Sequence, residues 1–472
     1  MMKHKLLPLL FIIPCLLVCL IPSVGMIFHP TNERIGNETV TAPPSISTED
    51  GGFNSEFLPQ AGTYFEKHFA FRPEAITLDA KLQASVFRVS NLDTVTVGTD
   101  GWLYYSATLD DYLGRETLTE RQIRGVVHNL ELVQEVVERQ GGKFLFTVAP
   151  NKNTLYPDNM AYYFSKSASD THNRDLLRAE LSDGKLNYCD LFALFADQDE
   201  VLYLKQDSHW NNKGALLAYN AVLTQLGKEH DDYSSAEVVR SKNFCGDLAK
   251  MLYPAAQEPE FNYAYQLNET YTYETDFNSV EDPIIKTVNP AAQGSLFMYR
   301  DSFGNALLPY FANAYGKAYF TKAYPVNLKT GMLLQQPDTV IIEIAERNIG
   351  WFIEHPPIIE MPQRDLTFTV AKEPMDVTLT AEQSSYDMQT LTVSAVFDTS
   401  LTDKEDILYL SVTDASGTAH VYEAYNTADG CMIYLPADGF AGRPLDVDLI
   451  VGSGGVCTSV YHTSTEIITL SE

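Results

Sequence analysis

The most continuous apolar segment of the chain lies at its start. Residues Leu6 to Phe28 are almost all apolar, and Lys3 and Lys5 precede them. A helix of this length can span the hydrocarbon core of a bilayer, and the preceding lysines favour a cytoplasmic start. We therefore predict a membrane anchor within residues 1–28, with the rest of the chain outside the cytoplasm. The alternative is a cleaved signal sequence, because Ser23-Val24-Gly25 has the small residues of a cleavage site.

After this segment, the pattern of apolar positions predicts a linker and then an α/β region. Residues 29–60 are polar and rich in Pro, Thr, Ser and Gly, which is typical of a flexible linker. Within residues 61–364, helical spacing over 118–140 is followed by a continuous apolar strand over 143–149. A second such strand covers 338–344. Helices that alternate with continuous apolar strands indicate a doubly wound parallel sheet.

The pattern changes near residue 365. Short runs rich in Thr, Val and Tyr, such as 391–397 and 407–412, are separated by turn residues. This pattern predicts a β-sandwich of about a hundred residues over 365–472. Such modules often bind carbohydrate by stacking sugars on aromatic side chains. Packing in the core is nevertheless the favoured role for the three candidate aromatic residues, Tyr422, Tyr425 and Tyr434.

Composition and charge narrow the class of protein. A hydrophobic content of 45% is ample for packed cores, and the chain length implies two or three domains. The formal net charge of −29 argues against nucleic acid as a partner and against binding to anionic lipid through a basic patch. Neutral or weakly charged glycans are compatible with this charge.

The six cysteines are too few to form the basis of the fold. Two of them, Cys15 and Cys19, lie in the apolar run at the start of the chain. Of the remaining four, Cys431 and Cys457 form the more plausible disulfide pair, because both lie in the last region. The sequence leaves the connectivity open.

A candidate nucleophile is Ser302. The segment before it, 294–299, reads as a short buried strand, and 305–315 reads as a helix. The serine therefore lies in a strand-to-helix turn, where open α/β sheets place ligands and where backbone N–H groups can stabilise an oxyanion. Gly304 suits such a tight turn. The alternative is that Asp301 and Ser302 only cap the helix.

A candidate base and its orienting carboxylate lie earlier in the chain, at His209 and Asp207. They precede an apolar segment, 214–223, that reads as a helix, so their side chains are expected to converge in the turn before it. In this arrangement His209 accepts the proton of Ser302, and Asp207 accepts a hydrogen bond from the other ring nitrogen. An Asp-X-His pair is also compatible with metal ligation, but no third ligand stands at a recognisable spacing.

These residues carry a resemblance to a known family. Asp207-Ser208-His209-Trp210, followed by a serine in Arg300-Asp301-Ser302-Phe303, resembles the DHHW proteins and the related alginate O-acetyltransferase family, whose domains are SGNH-hydrolase-like. This chain departs from the Asp-His-His-Trp pattern at Ser208, which leaves His209 as the only imidazole. Four more segments resemble family motifs: an initial segment, a Gly-Trp-Leu hairpin, a Pro-x-Lys loop and the end of the last strand, at 64–73, 98–105, 149–157 and 343–348.

The resemblance implies a fold, an activity and a partner. The fold would be SGNH-hydrolase-like, and Ser302, His209 and Asp207 would form a catalytic triad that needs no metal and no cofactor. An acyl group would reach the serine from a multi-spanning, membrane-bound O-acyltransferase partner. Nothing in this chain itself encodes transport of an acyl group across a membrane.

Further residues are candidates for binding the oxyanion or the substrate. The backbone N–H of the serine is the first candidate donor. Asn151 and Asn153 follow the 143–149 strand, so either could add a side-chain donor, although both are also common turn formers. Arg347 could contact the substrate, but the favoured role is to brace a neighbouring carboxylate, Glu343 or Glu346.

Three functions from two classes follow from these residues. The first is an extracytoplasmic serine O-acetyltransferase that modifies a cell-surface polysaccharide through an acyl-serine intermediate. The second is a carbohydrate esterase or deacetylase with the same triad, which differs only in using water as the acceptor. The third is a non-catalytic scaffold that binds glycan.

Overall fold

The computed structural model describes residues 3–28, 31, 41–48, 50–274, 276–440 and 444–468. Much of the predicted linker, 29–60, therefore lies outside the described residues. The apolar segment at the start forms one helix, α1 (Lys3–Phe28). Across the described part of the chain, no helix combines the length and the apolarity that crossing a membrane requires. The predicted membrane anchor is therefore not confirmed.

Two helices, a hairpin and a short helix lead into the main sheet. They are α2 (Phe57–His68), α3 (Arg72–Leu82), β1 (Val95–Val97), β2 (Leu103–Tyr105) and α4 (Leu109–Tyr112). The hairpin of β1 and β2 pairs Val97 with Leu103 across the turn. It contains the Gly-Trp-Leu motif, so the predicted hairpin is present.

Helices and strands alternate from residue 120 to residue 354. The helices are α5 (Glu120–Arg139), α6 (Lys152–Leu155), α7 (Tyr162–Ser165), α8 (Asn173–Glu180), α9 (Leu191–Ala196), α10 (Asn212–Gln225), α11 (Asp247–Leu252), α12 (Leu308–Ala314), α13 (Leu328–Gln335) and α14 (Trp351–Glu354). The strands are β3 (Lys143–Ala149), β4 (Tyr188–Cys189), β5 (Val238–Phe244), β6 (Glu260–Tyr265), β7 (Thr272–Tyr273), β8 (Ile284–Val288), β9 (Ser295–Tyr299), β10 (Lys317–Thr321) and β11 (Thr339–Ala345).

Seven of these strands form one sheet in the order β4-β3-β11-β9-β10-β8-β7. The first five are parallel to one another, whereas β8 pairs antiparallel with β10, and β7 pairs antiparallel with β8 at the edge. The predicted α/β fold is confirmed, but the sheet is mixed and not all parallel. The hairpin of β5 and β6, with α11 between its strands, lies outside this sheet. The sequence pattern did not predict that hairpin.

Both faces of the sheet are covered, as β3 shows. Phe144, Phe146 and Val148 join side chains of α5 in one apolar cluster. Leu145 and Ala149 join side chains of α10 in a second cluster. A parallel strand that is buried on both faces carries a continuous apolar sequence, which is the pattern that the 143–149 segment shows.

The chain from residue 369 onwards forms two five-stranded sheets, in keeping with the predicted all-β region. Its strands are β12 (Thr369–Val370), β13 (Val377–Gln383), β14 (Thr390–Phe397), β15 (Ile407–Thr413), β16 (Ala419–Glu423), β17 (Tyr425–Thr427), β18 (Gly430–Pro436), β19 (Leu445–Ser453), β20 (Val456–Thr465) and β21 (Ile467–Ile468). The three aromatic residues proposed for the core are all buried, namely Tyr422, Tyr425 and Tyr434. Packing is therefore their role.

Cys431 and Cys457, the more plausible pair if the chain forms a disulfide, are not bonded to each other. Both residues are free thiols. They lie on β18 and β20, which belong to different sheets, and Cys431 is buried whereas Cys457 is partly exposed. Position in the same region of sequence did not bring the two sulfur atoms together.

The α/β part and the all-β part share one apolar cluster through α5. The buried Asn129 side chain of α5 donates to the carbonyls of Phe352 and Asn426, and it accepts the N–H of Asn426. Arg364 also joins the two parts, because it donates to both Glu135 and Glu423. A boundary at residue 364 stays a prediction, and it falls beside a buried interface.

Candidate active site

Ser302 lies in a turn that its neighbour Asp301 holds in place. One carboxylate oxygen of Asp301 accepts the N–H of Phe303 at 2.8 Å, and the other accepts the N–H of Ala345, at the end of β11, at 2.6 Å. The alternative role of a cap is therefore correct for Asp301. It is not correct for Ser302, whose side chain caps nothing.

Gly304 is required by the packing beneath this turn. A Cβ atom at this position would lie 2.5 Å from Cβ of Arg300 and 2.8 Å from Oε2 of Glu343. Both of these side chains are fully buried. Burial, together with the charge of Asp301, raises the pKa of Glu343 well above its ordinary range. The glycine therefore lets the backbone approach two buried polar side chains.

Asp207 and His209 converge in the turn before α10, as predicted. Oδ1 of Asp207 lies 2.7 Å from Nδ1 of His209 and also accepts the backbone N–H of His209 at 2.9 Å. Asn211 is the N-cap of α10, because its side chain accepts the N–H groups of Lys213 and Gly214. The cap fixes where the turn ends and the helix begins.

The two side chains stabilise each other's charged forms. Burial lowers the pKa of His209, but the hydrogen bond and charge of Asp207 outweigh burial, so the net shift is upward. Burial raises the pKa of Asp207, but the hydrogen bond and charge of His209 outweigh it and bring the pKa to about 2. Asp207 is therefore ionised at neutral pH and can stabilise a protonated imidazole.

A buried lysine supports the turn from below. Nζ of Lys152 donates to the carbonyls of Leu204 and Lys205, each at 3.0 Å, and to the carbonyl of Asp207. The ammonium group also lies 5.2 Å from the centre of the Tyr104 ring. Burial lowers the pKa of Lys152 to about 8. The Pro-x-Lys loop of the sequence thus holds the backbone that carries Asp207.

Ser302, His209 and Asp207 line one cavity of about 1140 Å³. The ring of Phe303 lies 4.8 Å from the imidazole of His209, which places the serine turn directly beside the histidine. Within the described residues, neither Oγ nor the backbone N–H of Ser302 has a hydrogen-bond partner. Nε2 of His209 is buried and also unpartnered. The expected hydrogen bond between Ser302 and His209 is therefore absent.

Arg347 lines the same cavity, and its predicted bracing role is wrong. No ion pair joins its guanidinium to Glu343 or Glu346 in the described part of the chain. The guanidinium instead lies 5.4 Å from the centre of the Tyr105 ring. Glu346 has another cation, because Arg174 lies 3.6 Å from its carboxylate. The alternative role for Arg347, contact with a substrate, agrees with its position.

Neither asparagine of the 149–157 loop is among the residues that line the cavity. The backbone N–H of Asn151 donates to Glu346 at 2.7 Å, and the side chain of Asn153 donates to the carbonyl of Thr108 at 3.2 Å. Both side chains are buried. The structure thus gives Asn151 and Asn153 positions within the loop, and it does not bring them to Ser302.

One residue of the site was not predicted. Asp247, at the start of α11, lies beside the Asp207–His209 pair. One carboxylate oxygen of each aspartate and one ring nitrogen of the histidine lie within 4.8 Å of one another. The sequence shows no third metal ligand at a recognisable spacing, yet the fold brings a third carboxylate close to the pair. Nδ1 of His209 is already hydrogen-bonded to Asp207, and the carboxylate of Asp247 accepts a hydrogen bond from Ser208. No sequence signal marks Asp247, because only the fold brings it close.

Comparison with known proteins confirms the resemblance to the alginate O-acetyltransferase family. Residues 95–296 match a family model described as SGNH hydrolase-like domain, acetyltransferase AlgX, and this match ends before Ser302. The probable alginate O-acetylase AlgJ of Pseudomonas syringae pv. tomato is 28% identical over 222 residues, or 44% of this chain. The matched part spans 54% of that relative, about half of its length.

Two solved structures are also similar, with TM-scores below 0.5. PatB1 of Bacillus cereus is 15% identical, with a TM-score of 0.45, over 54% of this chain and 96% of that one. A DHHW family protein of Eubacterium siraeum is 18% identical, with a TM-score of 0.40, over 54% of this chain and 92% of that one.

Proposed function

We propose that this protein is an extracytoplasmic serine O-acetyltransferase that modifies a cell-surface polysaccharide through an acyl-serine intermediate. One observation carries the proposal. Ser302 and His209 line the same cavity, neither the serine Oγ nor Nε2 of the histidine has a hydrogen-bond partner among the described residues, and the other ring nitrogen is held by Asp207. A nucleophile, a base and an orienting carboxylate are the three groups that acyl transfer through serine requires.

In the first half of the reaction, Oγ of Ser302 attacks the carbonyl carbon of the acetyl donor. The serine proton passes to Nε2 of His209, and the charge of Asp207 stabilises the resulting imidazolium. The bond between the carbonyl carbon and the leaving oxygen then breaks, and the leaving group takes the proton from His209. The product is acetyl-Ser302, and His209 is neutral again.

In the second half, a sugar hydroxyl attacks the acetyl carbon of acetyl-Ser302. His209 accepts the hydroxyl proton, the bond from the carbon to Oγ breaks, and the proton returns to the serine. The unpartnered N–H of Ser302 is the candidate donor to the oxyanion in both halves. Water in place of the sugar would give hydrolysis by the same steps.

The cavity supports an acceptor larger than a small metabolite. Its volume, about 1140 Å³, slightly exceeds the roughly 300–1,000 Å³ of ordinary small-molecule sites. Arg347 lies in its wall without an ionic partner among the described residues, so its guanidinium is available to the substrate. A segment of several sugar units in a polymer is an acceptor larger than a small metabolite and carries many hydroxyl groups.

The location, donor and partner are parts of the same proposal. The apolar sequence of residues 6–28 follows two lysines, and this sequence pattern supports an anchor that leaves the catalytic part outside the cytoplasm. A membrane-bound O-acyltransferase would supply the acetyl group, as the family resemblance implies. The similar protein of Pseudomonas syringae pv. tomato is a probable alginate O-acetylase, which supports a polysaccharide as the acceptor.

The proposal is tested with the full chain in detergent and a small activated acetyl ester. Release of the alcohol reports the first half of the reaction, and mass analysis of an added oligosaccharide reports the second half. We expect acetylated oligosaccharide from the wild type and none from Ser302→Ala. Alcohol release without any sugar product from a panel of acceptors would favour the esterase. Neither product, with the chain folded, would favour the glycan-binding scaffold.

A further inference from the structure

The start of α11 is built onto the Asp207–His209 pair. The backbone N–H of Asp247 donates to Oδ2 of Asp207 at 2.9 Å, so the second oxygen of that carboxylate is also engaged. The N–H of Ala249 donates to the carbonyl of Gln206 at 3.1 Å. These contacts join α11 to the segment that carries the predicted base, across 40 residues of sequence.

Close packing at Gly246 makes this contact possible. A Cβ atom there would lie 2.1 Å from the carbonyl oxygen of Gln206 and 2.8 Å from the backbone nitrogen of Asp207. Real Cβ atoms do not approach backbone atoms this closely. The residue before Asp247 therefore has to be glycine for Asp247 to reach its position.

The side chain of Asp247 engages the turn through Ser208. Its two oxygens accept the N–H of Ser208 at 2.8 Å and the hydroxyl of Ser208 at 2.5 Å. The same serine hydroxyl lies 3.2 Å from Nδ1 of His209, and the second oxygen of Asp247 lies 3.8 Å from that nitrogen. A second carboxylate thus stands behind the imidazole, with one hydroxyl group between them.

We propose that Asp247 is a positioning residue that, through Ser208, fixes the orientation of the His209 imidazole towards Ser302. The inference rests on the proposed function and adds a second carboxylate to the predicted triad of Ser302, His209 and Asp207. Asp207 holds Nδ1 directly, and Asp247 holds the backbone and hydroxyl of the intervening residue. Two anchors on one side of the ring restrict its rotation more than one anchor does, which keeps Nε2 directed into the cavity.

The position of Ser208 makes this arrangement a property of this chain. It is the one position of Asp207-Ser208-His209-Trp210 at which the chain departs from the Asp-His-His-Trp pattern of the family it resembles. A serine hydroxyl is small enough to bridge two close groups, because it donates one hydrogen bond and accepts others. In this chain it donates to Asp247, and its lone pairs face Nδ1 of His209.

The charged groups around His209 determine how the pKa of His209 is expected to change when Asp247 is removed. The negative charges of Asp207, Asp247 and Asp301 all raise the pKa of His209. Lys152 lies beneath the Asp207 backbone and donates to three carbonyls, and because burial lowers its pKa to about 8, it loses its charge as the pH rises above that value. Loss of one negative charge near the imidazole is expected to lower its pKa, so His209 stays neutral down to a lower pH.

The test compares five full-length variants with the wild type: Asp247→Asn, Ser208→Ala, Ser302→Ala, Asp446→Asn and His209→Ala. Asp446 is exposed on β19, so its variant controls for the loss of one negative charge far from the site. Hydrolysis of the small acetyl ester is measured from pH 5 to pH 9. The titration of His209 is measured by NMR on the resting protein, and its signal is identified by its absence from His209→Ala.

We expect Asp247→Asn to move the inflection of kcat/KM, and the NMR titration of His209, to a pH lower by roughly 0.5 to 1. Its kcat/KM at the optimum should fall about tenfold, less than the loss in Ser302→Ala, because an indirect contact is removed and the base remains. Ser208→Ala should lose a similar amount of kcat with a smaller change in the inflection. Asp446→Asn should match the wild type in both measurements.

Two results would overturn the inference. The first is a His209 titration and a kcat/KM in Asp247→Asn that both match the wild type. If Asp247→Asn does not fold, the second is a Ser208→Ala variant that matches the wild type in both. The NMR titration needs no activity, so it still tests Asp247 if Ser302→Ala keeps the wild-type rate and the proposed function itself fails.

Discussion

Oδ1 of Asp207 lies 2.7 Å from Nδ1 of His209 and accepts two hydrogen bonds from the same residue, one from the ring and one from the backbone. The carboxylate thereby fixes the ring orientation and the tautomer, so Nε2 is the nitrogen free to accept a proton. Asp207→Asn should keep the shape of the side chain at this position but remove its negative charge. We expect kcat/KM for the small ester to fall at least a hundredfold, on the order of the general-base contribution.

A matched control separates the effect of losing the Asp207–His209 pair from the effect of losing any buried carboxylate near the 149–157 loop. Glu346→Gln changes a fully buried carboxylate that holds Asn151 and Thr154 and lies outside the cavity lining. Its kcat/KM should stay within a few-fold of the wild type if the variant folds. Equal losses in Asp207→Asn and Glu346→Gln would contradict a specific role for Asp207.

The raised pKa of His209 sets the pH dependence of both activity and stability. A base must be neutral, so kcat/KM should rise with pH through an inflection above the ordinary imidazole value of 6.5. The contribution of His209 to stability changes with pH in the opposite direction and falls as the pH rises. A raised folded pKa contributes stability that is fully present below the unfolded pKa and is lost as pH rises through the folded pKa. An inflection at or below 6.5 would contradict the net effect of Asp207 on His209.

Lys152 should be necessary for the turn that carries Asp207. In Lys152→Met three backbone carbonyls lose their donor in a buried place. We expect the free energy of unfolding to fall by about 2–4 kcal/mol, together with a loss of ester hydrolysis. Lys205 is exposed, so Lys205→Met is the matched control and should leave both quantities nearly unchanged. Denaturant unfolding and steady-state kinetics measure the two effects, and a stable, fully active Lys152→Met would refute this role.

Gly304→Ala tests the packing beneath the candidate nucleophile. The added methyl group would press on the buried Arg300 and Glu343, so the turn has to move or the side chains have to shift. We expect a loss of about 1–3 kcal/mol in the free energy of unfolding and a clear fall in kcat. Gly439→Ala is the control, because nothing lies within 4 Å of its new atom. Indistinguishable melting curves and rates for the two variants would show that the contact beneath Ser302 is not close in solution.

The interface between the two parts of the chain predicts one cooperative unit. Asn129 makes hydrogen bonds to both Phe352 and Asn426 from a fully buried position. Asn129→Ala should therefore lower the stability of both parts by about 1–3 kcal/mol in a single transition. A chain that ends at residue 364 should expose the apolar face of α5 and aggregate. Two separate calorimetric transitions, or a soluble and folded truncated chain, would support independent domains.

The features predicted from sequence are those that depend on local patterns. The strand over Lys143–Ala149 has its predicted bounds, and the helix predicted over 118–140 forms over Glu120–Arg139. A continuous apolar run can only be buried on both faces, and a capping box at Thr119 marks where the helix begins. The turn that contains Ser302 follows from the strand before it and the helix after it.

The features that sequence did not predict depend on distant contacts. Asp247 reaches Asp207 because Gly246 allows two backbones to touch, and no local pattern records that contact. Arg347 lies next to Glu346 in sequence, but its guanidinium lies over the ring of Tyr105, which belongs to the distant β1–β2 hairpin. Pairing of charges nearby in sequence is a weak guide, since the end of a strand sends successive side chains in different directions.

If Ser302 carries the acetyl group during turnover, the acetylated serine can be trapped. The full chain is mixed with the small acetyl ester, quenched in acid within one turnover and digested for mass spectrometry. We expect an acetyl increment on the peptide that contains Ser302, absent from Ser302→Ala and greatly reduced in His209→Ala. Ester turnover that persists in Ser302→Ala, with no acetylated Ser302 in the wild type, would contradict this role of Ser302.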